Sequence, residues 1–250
     1  MTAIVGTINR RGVAFAADSA ATLTISDKVK ITNHTNKIFA LSKKHPLGIA
    51  IHNNLDFHGV PWENIFKMYR DNHLKDNSFA KLSDYTNDFW CYLTGVILPK
   101  LYAEQKLHIA FMANQLLNEV KSLAIEGLKD QGAEINNQTI LSSIIKILQG
   151  FSGDYKKHTR GEGFEGYTKK QFNSYALEVI DSIIDKIVAD PSCPKDFKDT
   201  FVDALFWIIM SNHNVYFNYT GLIFWGYGED ELFPSYYEYQ MNSIYIYKND

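Results

Sequence analysis

The second residue of the chain is a threonine, Thr2, which becomes the N-terminal residue once the initiator Met1 is removed. A residue as small as threonine normally permits that removal. An N-terminal threonine can attack a carbonyl with its hydroxyl while its own α-amine, with an ordinary pKa of about 8, accepts the proton. Thr2 is therefore the first candidate catalytic residue.

Such a nucleophile needs support from other groups. A nearby lysine lowers the pKa of the hydroxyl and the amine, and a carboxylate can hold that lysine in place. The sequence offers Asp18 at the end of a predicted strand and Lys37 at the start of another. Since strand ends can converge after hairpins, we expect both side chains to lie beside Thr2. Backbone N–H groups must also stabilise the oxyanion.

The elements that must position these residues follow from hydrophobic periodicity. Short runs rich in β-branched residues predict strands over residues 3–8, 13–17, 36–42 and 48–52. Helical spacing and capping signals predict helices beginning near Pro61 and over about 78–98, 100–130, 140–148, 169–189 and 195–211. Two aromatic strands, about 215–226 and 234–247, complete the chain. Grouped rather than alternating elements predict an α+β fold, not a doubly wound parallel sheet.

Composition narrows the classes of function. The chain has 250 residues, 46% of them hydrophobic and 21% charged, as is usual for a globular protein. A formal net charge of -3 provides no global field for nucleic acid or an anionic membrane. Two cysteines and the lack of a signal peptide or an apolar membrane segment favour a cytoplasmic location. We expect no cofactor and no metal.

Four residues then carry a family resemblance: Thr2, Asp18, Thr22 and Lys37 occur in an order and framing similar to the opening of proteasome β subunits and bacterial proteasome-like peptidases. The later run GLIFWGYGEDELFPSYYEYQ resembles a strand–turn–strand of the same family. The resemblance covers about residues 2–72 and 214–245. It implies Thr2 as nucleophile, Lys37 as the active-site lysine, Asp18 as its supporting carboxylate and Thr22 as a groove residue.

The resemblance also implies a fold and an assembly. The fold would be the αββα sandwich of N-terminal nucleophile hydrolases, as a single domain over 1–250 with a large helical insertion at about 73–212. We expect the family's C-terminal part, with a further serine and aspartate of its site, to be missing. Where the family has an oxyanion-hole glycine, the nearest match is Asn53. Peptide or protein substrates and a homo-oligomer are implied.

Three other motifs in the sequence favour a structural interpretation over a functional one. Residues 161–166 satisfy G-x-G-x-x-G, but a polar basic segment precedes them, which favours a loop over a dinucleotide site. His45, His52, Asp56 and His58 have no recognisable metal-ligand spacing. Cys91 lies in a predicted helix and is expected to be a core residue. The alternative to a threonine hydrolase is a non-catalytic proteasome-like scaffold that retains Met1 and binds partners.

Overall fold

A computed structural model describes residues 3–25, 28–32, 35–160, 166–211 and 219–241, with the backbone alone over 21–25 and 28–32. The protein is mixed, with more helix than strand and antiparallel strand pairs, which confirms the predicted α+β class. The described residues form two compact units. Residues 3–101 and 219–241 form the first, called the β unit, and residues 102–211 form the second, called the helical unit.

The predicted insertion at about 73–212 overlaps the helical unit along most of its length. Residues 73–101 nevertheless belong to the β unit, so the helical unit begins later in the chain than the sequence indicates. Of the predicted loop at 161–166, residues 161–165 lie outside the described residues, and Gly166 lies in a turn.

A four-stranded antiparallel sheet organises the β unit. Its spatial order is β10, β9, β6, β5, formed from strands Ser235–Met241, Thr220–Gly226, Leu47–Asn53 and Ile38–Ala40. The central pair, β6 and β9, joins segments of the chain on either side of the helical unit. Both are buried along nearly their whole length, because they are covered on two faces.

Helices cover one face of this sheet. Alternate residues of β6 (Leu47, Ile49 and Ile51) belong to a buried cluster with α1 (Trp62–Met68) and α2 (Leu82–Tyr92). Ring contacts tie the layers together, with Phe224 of β9 at 5.3 Å from Phe89. Pro61 precedes α1 at the N-cap, where its missing N–H does no harm. The helix predicted to start at Ser78 instead starts at Leu82, with Lys81 as N-cap.

Two π-helical segments interrupt the helical layer, at Tyr69–Leu74 and Leu93–Ile97. A short 3₁₀ turn, Leu98–Leu101, contains Pro99 and separates the helices predicted over 78–98 and 100–130.

A hairpin covers the opposite face of the sheet. It consists of β1 (Ile4–Asn9) and β2 (Gly12–Ala17), in the predicted positions. Phe15 stacks on Trp225 of β9 with ring centroids 4.1 Å apart. Each ring of this stack has a glycine as its cross-strand neighbour. Gly6 of β1 lies opposite Phe15, and Gly48 of β6 lies opposite Trp225. A Cβ atom at Gly48 would approach the Trp225 ring to 2.2 Å, so the stack requires glycine there.

Two small hairpins were not predicted from the sequence. One pairs β3 (Ala21–Ile25) with β4 (Lys28–Thr32), and the other pairs β7 (Asp56–Phe57) with β8 (Val60–Pro61). The alternating β-branched residues of TLTI and KVKIT were the signal for the first.

The helical unit contains four helices: α3 (Tyr102–Asp130), α4 (Asn137–Tyr155), α5 (Lys169–Val188) and α6 (Phe197–Met210). The bounds of α3, α5 and α6 agree closely with predicted helices, whereas α4 extends beyond the predicted 140–148 at both ends. Asn136 and Thr168 cap α4 and α5 through reciprocal side-chain and backbone hydrogen bonds. None of the helices in the described ranges combines the length and the apolar character needed to cross a bilayer.

Candidate active site

The position of Asp18 is fixed by the first hairpin. Asn9 accepts hydrogen bonds from the N–H groups of Arg11 and Gly12, at 2.7 and 3.1 Å, and so closes the turn between β1 and β2. The register then brings Ala17 opposite Ile4. One residue further, Asp18 N donates to the carbonyl of Ala3 at 3.1 Å. The carboxylate of Asp18 accepts the N–H of Ala3, also at 3.1 Å.

Lys37 enters the same place from the edge of the four-stranded sheet. Its carbonyl accepts the N–H of Ile51 at 2.9 Å, which aligns Lys37 with the end of β6. Its ammonium donates to Asp18 Oδ1 at 2.8 Å and to the carbonyl of Ala20 at 2.6 Å. The structure therefore brings Asp18 and Lys37 together and ties both to the start of β1.

The burial of this ion pair is asymmetric. The side chain of Lys37 is only 1% exposed, whereas that of Asp18 is 33% exposed. Lysine is rarely buried to this extent without a partner, because removing its charge from water is costly. Hydrogen bonds from Lys37 and from the N–H of Ala3 hold the pKa of Asp18 below its usual value. At neutral pH a carboxylate therefore faces the buried ammonium.

The structure describes only one of the two threonines predicted for the site. Thr2 lies outside the described residues, although Ala3, the next residue, is bonded to Asp18 as described. Thr22 lies in β3, opposite Ile31 of β4. The backbone description of β3 gives no contact between the Thr22 side chain and the Asp18–Lys37 pair.

Asn53 ends β6 in a left-handed conformation, with φ at 65°. This conformation favours glycine, but asparagine tolerates it better than most other residues. The backbone at Asn53 thus has a positive φ of the kind that glycine readily adopts.

The N–H of Asn53 points toward the Lys37 side of β6. Amide directions alternate along an antiparallel strand, so residues two apart share an edge. Ile51 donates to Lys37, and therefore the N–H of Asn53 is directed to the same edge. It lies about 7 Å further along the strand, at roughly 3.4 Å per residue.

One further pair near Asn53 was missed in the sequence. His52 Nε2 lies 3.3 Å from Glu238 Oε1, across β6, β9 and β10. The imidazole covers Gly221, where a Cβ atom would approach it to 1.9 Å. The residues of the pair are 186 positions apart. Hence no local sequence signal could have joined them, and only the sheet register does so.

An apolar cavity of about 310 Å³ lies between the hairpin and the sheet. Its lining residues come from β1, β2, β9 and β10: Ile4, Gly6, Ile8, Phe15, Ile223 and Tyr236. Ile4 is adjacent to Ala3, so the cavity begins one residue beyond the backbone group that binds Asp18.

Together these groups provide a buried cation, a carboxylate that holds it, a backbone N–H directed to the same edge, and an adjacent apolar cavity. Acyl transfer at a nucleophile placed there would use each of them. Comparison of the chain with protein-family models, with curated proteins and with solved structures finds no match.

Proposed function

We propose that this protein is a proteasome-like N-terminal threonine hydrolase that cleaves peptide or other amide bonds through an acyl-enzyme on Thr2. The observation that carries the proposal is the hydrogen bonding of Lys37 to Asp18, and of Asp18 to the N–H of Ala3, at 2.8 and 3.1 Å. The residue that follows Thr2 is thereby bonded to the carboxylate that the family resemblance assigns to the site.

In the proposed reaction the Thr2 hydroxyl adds to the substrate carbonyl and its proton passes to the α-amine of the same residue. The ammonium of Lys37 favours the unprotonated amine and the developing alkoxide. The N–H of Asn53 donates to the oxyanion. The amine product leaves with the proton, and water then hydrolyses the Thr2 ester by the same path in reverse.

The layers of the β unit support the fold that the resemblance implies. Helices, a four-stranded sheet and a hairpin lie in that order, as in three of the four layers of an αββα sandwich. The apolar cavity beside β1 suits an aliphatic or aromatic substrate side chain. We also propose a homo-oligomer, because family members work as rings.

Intact mass and one matched pair of variants test this function. Protein purified from its own host should lack Met1, and it should cleave fluorogenic peptide amides with an apolar residue before the scissile bond. Thr2→Ala should abolish cleavage, whereas Thr7→Ala, a change on the exposed side of β1, should leave it intact. A native product that keeps Met1, or cleavage that survives Thr2→Ala, would refute the proposal.

A scaffold that retains Met1 is the second candidate function. It is favoured by the apolar surface around the β9–β10 turn, where Leu232, Phe233 and Tyr236 are 88%, 49% and 58% exposed. Exposed apolar groups that lie together often form interaction surfaces. If Met1 is retained, a Leu232→Ser variant should weaken self-association or partner binding, as measured by sedimentation, without any effect on catalysis.

A further inference from the structure

The helical unit contains an apolar cleft that the proposed hydrolase activity does not use. It has a volume of about 260 Å³ and is bounded by α3, α4 and α5. Five aliphatic side chains line it: Ile125, Ile140, Leu141, Ile144 and Ile187. Leu141 and Ile144 are buried and the other three are partly buried, so the cleft has a deep aliphatic floor.

Charged and polar groups also line the cleft. The lining includes Lys121 of α3 and Lys186 of α5, together with Asn137 and Asp190. Asp190 is engaged elsewhere, since it accepts from Ser192 N at 2.8 Å and from Ser192 Oγ at 2.6 Å. Asn137 Nδ2 also donates to Asp190, at 3.3 Å.

The hydrogen bonds from Ser192 lower the pKa of Asp190, so its carboxylate carries one negative charge at neutral pH. Two ammonium groups oppose that single charge. The lining of the cleft therefore carries an excess of one positive charge.

The two lysines differ from other lysines of the helical unit. On α3, Lys106 is paired with Glu178 at 2.9 Å, and on α6, Lys198 is paired with Asp181 at 2.7 Å. Within the described parts of the chain, neither Lys121 nor Lys186 has a carboxylate within 4 Å. Two unpaired cations above an aliphatic floor complement a ligand with an anionic head and a hydrocarbon tail.

We infer that this cleft binds a medium-chain aliphatic carboxylate, with the carboxylate between Lys121 and Lys186 and the hydrocarbon chain against Ile140 and Ile144. A methylene group takes about the space of one water molecule in the liquid, roughly 30 Å³. A cleft of 260 Å³ thus accommodates about eight methylenes. The aliphatic floor offers no partner for a polar tail, which disfavours sugars and nucleotides.

A chain-length series tests the tail. Titration calorimetry of the full chain with straight-chain carboxylates, from butanoate to tetradecanoate, should give affinity that rises about fourfold per added methylene. The rise should stop near nonanoate, where the cleft is full. Absence of saturable binding, or affinity that does not depend on chain length, would overturn the inference.

Variants test the head group and the location. The double variant Lys121→Met with Lys186→Met should weaken nonanoate binding by at least tenfold and leave nonanol binding unchanged. Lys146→Met with Lys195→Met removes two exposed lysines outside the lining, and it should bind like the wild type. Ile140→Trp should fill the cleft and block both ligands, with circular dichroism verifying the fold of every variant. Equal binding of nonanol and nonanoate by the wild type would contradict the assigned charge recognition.

Discussion

The two units each contain a carboxylate–lysine cluster, and the clusters are built in opposite ways. In the β unit the lysine is the buried partner, since Lys37 is 1% exposed and Asp18 33%. In the helical unit the carboxylate is the central group, since Asp203 binds Lys156 at 3.1 Å and Lys169 at 2.7 Å. Those two lysines are 47% and 40% exposed.

The difference separates a structural cluster from a candidate catalytic one. Asp203 of α6 also accepts from Ser152 and so connects three helices, α4, α5 and α6, through solvent-facing cations. Lys37 instead places a desolvated cation beside the first residues of the chain. A desolvated cation acts strongly on nearby ionisable groups, whereas an exposed one is screened.

The largest expected effect is a loss of reactivity at the β-unit cluster. Lys37→Met should lower the rate of covalent labelling by a threonine-directed electrophile by roughly 100-fold or more, the order seen when an electrostatic group of a catalytic site is removed. Stability should also fall, because Asp18 loses its cationic partner and the carbonyl of Ala20 loses its hydrogen-bond donor. Intact mass measures the labelling rate, and circular dichroism measures folding. A labelling rate equal to that of the wild type would show that Lys37 is not part of the site.

The next effect concerns the packing that holds the hairpin on the sheet. Gly48→Ala would bring a Cβ atom within 2.2 Å of the Trp225 ring and displace it from Phe15. We expect the β unit to lose roughly 1–3 kcal/mol of unfolding free energy, as is typical of overpacking. Gly12→Ala, where a Cβ atom would meet nothing within 4 Å, is the control. Equal urea midpoints for the two variants would contradict the packing account.

The helical unit should respond to pH through Asp203. Burial alone would raise the pKa of Asp203, but hydrogen bonds from Lys169, Ser152 and Lys156 outweigh it and bring the pKa to about 2. Because the folded pKa lies below the ordinary value of 3.8, the stabilisation is present above pH 4 and is lost as the pH falls through 2. It amounts to about 2 kcal/mol.

Asp203→Asn should therefore destabilise the helical unit by about 2 kcal/mol at pH 7, and the difference from the wild type should shrink toward pH 2. Asp181→Asn, which breaks the exposed pair with Lys198, should cost well under about 1 kcal/mol. Helical circular dichroism during urea titration at several pH values measures both. Electrophile labelling should be unaffected by either change, which distinguishes this cluster from Lys37.

The smallest effect is expected at Asn53. Alanine tolerates the left-handed conformation less well than asparagine, so Asn53→Ala should cost about 1 kcal/mol, whereas Asn53→Gly should relieve strain. Both variants keep the backbone N–H and should keep most of the labelling rate. Thermal unfolding compares them, and greater stability of the alanine variant would be inconsistent with the positive φ.

Local patterns explain why much of the fold was predictable from the sequence. The hairpin of β1 and β2 and the four helices of the helical unit each have their own periodicity and capping residues, such as Asn9, Asn136 and Thr168. The start of α2 was predicted too early because Ser78 has capping chemistry, yet the helix begins after Lys81, whose N–H donates to Asp84 Oδ2 at 3.1 Å. The β3–β4 hairpin was missed although its alternation is visible.

Residue types and order suggested Asp18 and Lys37, but not the asymmetric burial of their ion pair, which depends on how β5 and β6 align. Neither the His52–Glu238 pair nor the charge excess at Lys121 and Lys186 could be predicted. Both are created by contacts between elements that lie far apart in the sequence.

The most direct test of the central claim maps the site of covalent labelling. An electrophile that bonds to both the hydroxyl and the α-amine of one residue is applied to the native protein, and peptide mass spectrometry locates the adduct. We expect an adduct on Thr2 as the first residue, lost in Lys37→Met and kept in Asp203→Asn. An adduct on another residue, or native protein that still carries Met1 and takes no label, would contradict it.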